Sequence, residues 1–230
     1  TQRGLTYRIF YVDTENKFGD GANTVYLKAD YKDEISLTTD ISSLTTDDIQ
    51  KFKNMNPKWA AQRGSAQSEW KSNEKGAAWL CAPSQWTTYV DNTKATYAIG
   101  GPSVEMYIAS YNDVPHTEVG NYTLGAEYKN DGGDHGYIYT LNGAQSTISN
   151  SDYYTGTDSL DYKGYNSMYA GKNGSKTGYW WLASPSSSNS YYVCYVNGYY
   201  ADLYYYIYSN THGVGPLVSL KSGIPVQVEE

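Results

Sequence analysis

Three histidines, His116, His135 and His212, and two cysteines, Cys81 and Cys194, are the side chains best suited to proton transfer or nucleophilic attack. Nucleophilic catalysis needs a Ser or Cys next to a base that a third group orients. No G-x-S-x-G elbow occurs, and Cys194 with His212 is the only Cys–His pairing close in sequence. Paired carboxylates such as Asp158 and Asp161 sit among turn residues, where they solvate a loop. The acidic run DTENKFGDGAN, Asp13 to Asn23, lacks the Asp-x-Asp/Asn-x-Asp/Asn-Gly ladder and terminal Glu of a calcium loop. Phosphate-cradling, dinucleotide and zinc patterns are also missing, so the residues point to no enzyme, no metal and no cofactor.

The chemistry the chain does concentrate is contact chemistry. Half of the positions from Tyr191 to Tyr208 are tyrosine, with Ser, Asn and Gly filling much of the remainder. Tyr offers a large, rigid, amphipathic contact area at small entropic cost, and Ser, Asn and Gly offer adaptable hydrogen bonds. Across the chain 27 Tyr stand against 3 Phe, which places many rings near the surface with wet hydroxyls. A net charge of -7 and dispersed cations exclude a nucleic-acid partner, which needs a basic patch. No run reaches the roughly 18 apolar residues of a membrane span.

Positioning this surface requires elements that periodicity locates. Leu5 to Val12 and Thr24 to Ala29 read as strands. Thr45 or Thr46 caps a helix whose first turn holds Asp47 and Asp48 and whose stripe is Ile49, Phe52 and Met55, with Asn56-Pro57 as its stop. Ala77 to Ala82 reads as a strand or buried turn. Tyr97 to Val114 carries a second helix with Pro102 in its first turn and Val104, Tyr107, Ile108 and Tyr111 on one face. Tyr122 to Asn142 reads as two strands around Asn130 to Gly136, and Asn150 to Lys176 as a long irregular excursion. Then come Gly178 to Ser184, the tyrosine hairpin, Val214 to Leu220 and a last strand at Ile224 to Val228. Without a repeat or a linker, the reading is one α+β domain over residues 1–230, two helices with a mostly antiparallel twisted sheet.

Three segments, YAIGGPSVEMYIASYND from Tyr97, GYWWLASPSSS from Gly178 and GVGPLVSLKSG from Gly213, carry a resemblance. They resemble the bacterial domain found in variable proteins of diversity-generating retroelements, whose fold is similar to that of C-type lectins. Members usually show Trp-Leu-Arg-Ser-Pro and Gly-Val-Arg-Pro, whereas Ala183 and Gly215 stand here in place of both arginines. The resemblance implies a non-enzymatic, ligand-binding protein whose C-terminal face, about residues 184–213, is diversified at adenines of Asn-type codons. Gln, Glu, Lys, Met and Trp cannot arise by that route. They number 39 of the 230 residues, yet none falls between Ser186 and Gly213, where that background predicts about five. The paired catalytic cysteines of formylglycine-generating enzymes, which share the fold, have no counterpart.

The expected contact residues are Ser186, Ser188, Asn189, Tyr191 and Tyr192, then Tyr195, Asn197, Tyr199 and Tyr200, and finally Tyr204, Tyr206, Tyr208, Asn210 and His212. Alternation from Asp202 to Tyr208 places Leu203 and Ile207 inward and Tyr204, Tyr206 and Tyr208 outward. Trp180, Trp181, Val196, Val214 and Pro216 complete the expected scaffold. The expected partner is a protein or glycan on another cell or on a phage or host surface. TQRGLTYRIF holds no signal peptide, and a chain starting at Thr1 is expected to be processed and surface-displayed, secreted or virion-associated. Rival readings are a carbohydrate-binding or adhesin module of fixed specificity, and a structural pilus or phage-tail subunit.

Overall fold

The second strand, Thr24–Ala29, shows how the architecture departs from simple amphipathic alternation: Tyr26 and Lys28 are fully buried on one face while Val25 and Leu27 are half-buried on the other. A strand covered on both sides belongs in the middle of a sheet, and this one does. In the computed structural model, β1 (Tyr7–Asp13), β2 (Thr24–Ala29), β13 (Leu217–Leu220) and β4 (Ala95–Ile99) form a four-stranded antiparallel sheet in that order. A second sheet runs β11 (Asp202–Ile207), β10 (Tyr192–Asn197), β9 (Tyr179–Pro185), β12 (Thr211–Val214) and β3 (Lys32–Ser36); only β12 with β9 is parallel. The residues described are 7–29, 32–38, 41–63, 66–86, 95–113, 117–119, 122–124, 137–139, 145–147, 179–186, 189–197 and 202–220. The expected excursion at 150–176, the Asn130 to Gly136 turn, His116, His135 and the last strand at 224–228 lie outside them.

Four α-helices occur among the described residues, where two were expected. The first, α1 (Thr46–Met55), starts as its sequence dictates: the Asp48 N–H donates to Thr45 Oγ1 (3.2 Å) and the Thr45 N–H donates to Asp48 Oδ2 (2.9 Å), a reciprocal cap. Phe52 and Met55 are fully buried. Pro57 then ends α1 and opens α2 (Pro57–Arg63), because a proline that cannot continue a helix suits the first position of the next. Ala77 to Leu80, read as strand or turn, close α3 (Ser72–Leu80) instead. The polar residues before the apolar run start it: the Glu74 carboxylate accepts from the Lys71 N–H at 2.7 Å, satisfying one of the first-turn donors. The fourth, α4 (Val104–Asp113), is capped by Ser103, whose Oγ accepts from the Met106 N–H; Pro102 lies just ahead of the cap.

One strand reading is corrected. The stretch Val214 to Leu220 is not one strand, since Gly215-Pro216 separates β12 from β13 and carries the chain from one sheet to the other. Pro216 has no N–H for a ladder, but its carbonyl accepts from the Ala29 N–H at the end of β2 (2.8 Å). Within Tyr122 to Asn142 two strands form as expected, Tyr122–Leu124 (β6), which pairs with Thr117–Val119 (β5), and Tyr137–Tyr139 (β7), which pairs with Gln145–Thr147 (β8).

One apolar cluster joins both sheets to α1, α2, α3 and α4, with Phe52, Trp59 and Trp70 stacked edge to tilted face at 4.6 to 5.5 Å. Both cysteines are buried in it as free thiols. Burial pushes the Cys194 thiol from 9.0 up to about 12 and raises Cys81 and the Tyr26 hydroxyl as well. A folded-state pKa above the unfolded one means that the unfolded chain loses its proton first, so stability present below pH 9 falls as pH rises above it. Urea unfolding between pH 7 and 11 is expected to show this decline, and Cys194→Ala to reduce its slope by up to about 1.4 kcal/mol per pH unit. An unchanged slope in that variant would contradict the burial of Cys194 as the cause.

Candidate functional site

The three segments that carry the resemblance meet in one frame. The Ala183 N–H donates to Pro102 O (2.8 Å), and the Val104 N–H donates to Ser184 Oγ (2.9 Å), which itself donates to Asn56 Oδ1 (2.9 Å). Ser184 thus ties β9 to the start of α4 and the end of α1. Gly213 stands beside Trp180 in the parallel pair, and Leu217 and Val218 face Ile99 and Ala98 across β13 and β4. A Cβ on Gly101 would sit 2.7 Å from the Trp181 carbonyl oxygen, so glycine there is what allows the two backbones to approach. At Gly215, where relatives of the resembled family carry arginine, a Cβ would lie 2.8 Å from Lys28 Nζ. Lys28 is buried, with its ammonium 4.2 Å from the Trp180 ring centroid, so this cation takes the space a longer side chain at 215 would need.

On β9, Tyr179 and Trp181 alternate with Trp180. Trp180 faces the core beside Tyr107, at 5.8 Å between ring centroids. Trp181 is also fully buried, its Nε1–H donating to Ile35 O (3.0 Å). Around it gather Tyr195, its register partner on β10, and His212 on β12. The His212 ring lies 4.3 Å from Trp181, 4.7 Å from Tyr195 and 5.5 Å from Tyr179, and Tyr179 meets Tyr195 edge-on at 5.5 Å. Tyr179 is 42% exposed and Tyr195 half-buried, so the cluster is a floor with two rings reaching solvent.

In the same sheet, the connection from β9 to β10 brings up Asn189, half-buried, and Tyr191, 58% exposed, and β10 opens with the half-buried Tyr192. The Tyr191 carbonyl accepts from the Tyr208 N–H (2.9 Å), joining this loop to the end of β11. Tyr208 is half-buried against the core, and Asn210 is half-buried in the following turn. Register sets Tyr204 opposite Tyr195, Tyr206 opposite Val193 and Asn197 opposite Asp202. Ser188, Tyr199 and Tyr200 lie outside the described residues.

Three expected placements are corrected. Ser186, expected at the surface, is 6% exposed because its Oγ accepts from the Asn189 N–H and its carbonyl takes a hydrogen bond from below. His212, expected as a contact residue, is 9% exposed, since β12 is an inner strand and its ring fills the space between Trp181 and Tyr195. Ile207, expected in the scaffold, is 39% exposed: it ends β11, the outer strand of the sheet, where the Asn210 N–H closes a turn onto its carbonyl. Leu203 stands opposite Val196; Val196, Val214 and Pro216 are buried as expected. On β10, Val193 and Cys194 are both buried, so at that point the sheet is covered on both faces.

Comparison with family models, curated proteins and solved structures found no match to this chain.

The chemistry available follows from the geometry. A raised thiol pKa keeps Cys194 protonated near neutral pH, the reverse of an activated nucleophile. Among the described residues no group of three His, Cys, Asp or Glu side chains is placed to hold a metal ion. Two carboxylates of the acidic run are engaged within the fold, Asp13 accepting from the Lys17 and Phe18 N–H groups and Asp20 from Lys51 Nζ and the Tyr26 hydroxyl, while Glu15 lies exposed beside Lys17. No helix among the described residues is long and apolar enough to cross a membrane. Tyr179 was missed by the sequence reading, although extending the alternation of Trp181 by two residues would have found it. Asn73, described below, left no such signal.

Proposed function

We propose that this chain is a non-enzymatic ligand-binding protein, a single C-type-lectin-like domain of the kind diversified by a retroelement, that presents its tyrosine-rich C-terminal face to a protein or glycan on another cell, phage or host surface. The observation that carries this reading is the aromatic surface itself: Tyr179 exposed and Tyr195 half-exposed over the buried Trp181 and His212, with Tyr191 exposed and Tyr192 half-exposed where β9 passes into β10. Rings held on a packed floor lose little entropy on binding and make strong anchors. The convergence of the three resembling segments into the frame beneath that face supports the same reading. No nucleic acid, metal or cofactor enters it, and the face is displayed at a cell surface, in secreted form or on a virion.

The test is a triple variant, Tyr179→Ala, Tyr191→Ala and Tyr204→Ala, compared with the parent on glycan and surface-protein arrays. Loss of a central aromatic anchor costs on the order of 2 kcal/mol, about thirtyfold in affinity, so parental hits are expected to vanish while cooperative melting persists. A triple variant that keeps the parental hits, or that no longer folds, would remove the face as a binding surface. Consistent sugar hits across hairpins of different sequence would favour the fixed-specificity glycan module.

A further inference from the structure

The loop that raises Tyr191 and Tyr192 is held from beneath by one side chain of α3. Asn73 is 2% exposed and sits under the β9–β10 connection. Its Nδ2 donates to Ser186 O (3.0 Å) and Asn189 O (2.9 Å), and its main-chain N–H donates to Ser190 O (3.0 Å). Its Oδ1 accepts from the Glu74 N–H (2.9 Å), which fixes the amide's orientation: only one flip gives two donors to two carbonyls. Glu74 in turn takes the Lys71 N–H and the Trp59 Nε1–H, so the amide is braced by the helix start and by the Trp59–Trp70 cluster.

Every loop atom that Asn73 holds is a main-chain carbonyl. Such carbonyls are present whatever side chains occupy the loop. The loop's own bonds then follow from this anchorage: the Ser186 N–H donates to Tyr192 O, the Tyr192 N–H to Asn189 O, and the Tyr191 N–H to Asn189 Oδ1. The far side of the face is held in the same manner by β3 and the residue after it, with Ser36 Oγ donating to Ser209 O (2.7 Å) and the Leu37 N–H to Tyr208 O (2.8 Å).

We infer that Asn73 is the positioning residue of the ligand face: it sets the height and direction of Tyr191 and Tyr192 through backbone atoms alone and does not touch the ligand. This inference rests on the proposed reading of the face. Burial of an amide with both of its donors and its oxygen engaged makes it hard to replace, because each substitution leaves a carbonyl or a donor unpaired.

The experiment uses Asn73→Asp, which keeps volume and the Oδ1 acceptor but removes both donors to the loop. Hydrogen exchange is measured at the amides of Ser186, Tyr191 and Tyr192, and is expected to accelerate about tenfold while α1 and β2 amides stay unchanged. In parallel, phage libraries randomised at positions 189, 191, 192 and 195 are built in the parent and in the Asn73→Asp background, and both are selected on immobilised lysozyme. The parent library is expected to yield binders and the variant library about tenfold fewer per folded molecule. No binders from the parent library would overturn the face reading and, with it, the inference. Equal yields per folded molecule, with or without faster exchange, would overturn the inference and leave the face reading standing. If Asn73→Asp does not fold, Asn73→Ser, which retains one donor, is read by the same two measurements, with an intermediate effect expected and equal yields again overturning the inference.

Discussion

Replacing Trp181 with alanine is expected to cost about 3–5 kcal/mol, the range for emptying a buried tryptophan site, and to lower Tm by roughly 10 °C in a chain of this length. Three losses coincide at this residue. The fully buried indole leaves a cavity beneath Tyr195 and His212. The Ile35 carbonyl loses the Nε1–H that ties β3 to β9 across β12. The His212 ring loses the indole it packs against at 4.3 Å. Trp181→Phe, which keeps an aromatic ring but not the donor, is expected to recover more than half of the loss, since a net hydrogen bond contributes only about 1 kcal/mol. Urea unfolding of both variants decides the matter. A cost below about 1 kcal/mol for Trp181→Ala would place the floor of the face elsewhere, because surface substitutions fall in that range.

How much of this was legible in the sequence depends on where the deciding interactions lie. The α1 cap was legible because Thr45 and Asp48 are three residues apart and the bond is local. So were β1, β2 and the burial of Val104 and Tyr107 on α4, each set by its own periodicity. The helix at Ser72–Leu80 was not, since AAWLCA has no helical period by itself and its start depends on Glu74 reaching back to Lys71. Gly215-Pro216 was read as part of one strand from Val214 to Leu220, yet it is where the chain changes sheets, with the Ala29 N–H donating to the Pro216 carbonyl at the crossing. In the candidate site, Trp181 was legible as scaffold, whereas alternation along β10 did not decide between the side of Val196 and that of Val193, and both residues are buried. Whether His212 faced water depended on β12 lying between β9 and β3, a pairing across more than 170 residues that no local pattern encodes. Ile207 failed for the opposite reason: its type asks for burial, but its place at the end of an outer strand leaves it 39% exposed.

Lys51→Ala is expected to have an effect as large, through charge and not volume. Lys51 Nζ lies 2.6 Å from Asp20 Oδ2, and the two side chains are 5% and 10% exposed. The same oxygen accepts from the Tyr26 hydroxyl, whose ring lies 5.9 Å from the ammonium. Removing the cation leaves a largely buried carboxylate with one neutral donor, and breaking such a pair costs about 3–5 kcal/mol. Replacing both partners, Lys51→Met with Asp20→Leu, is expected to restore most of that loss, because no charge then remains to be desolvated. The pH dependence separates this pair from the cysteines. Burial lowers the Lys51 pKa below 10.5, against the opposing pull of Asp20. Between the lowered value and 10.5 the unfolded chain therefore holds more protons than the folded one, and this group's contribution to stability rises with pH. In Lys51→Met that rise is gone, so the alkaline decline set by Cys194, Cys81 and Tyr26 is expected to steepen. Because Asp20 belongs to the connection between β1 and β2, the first amide to exchange faster in the single variant is expected to be that of Gly21, held to Asn16 Oδ1 within the same turn. Protection of Gly21 equal to the parent's would show that Lys51 does not hold this loop to α1.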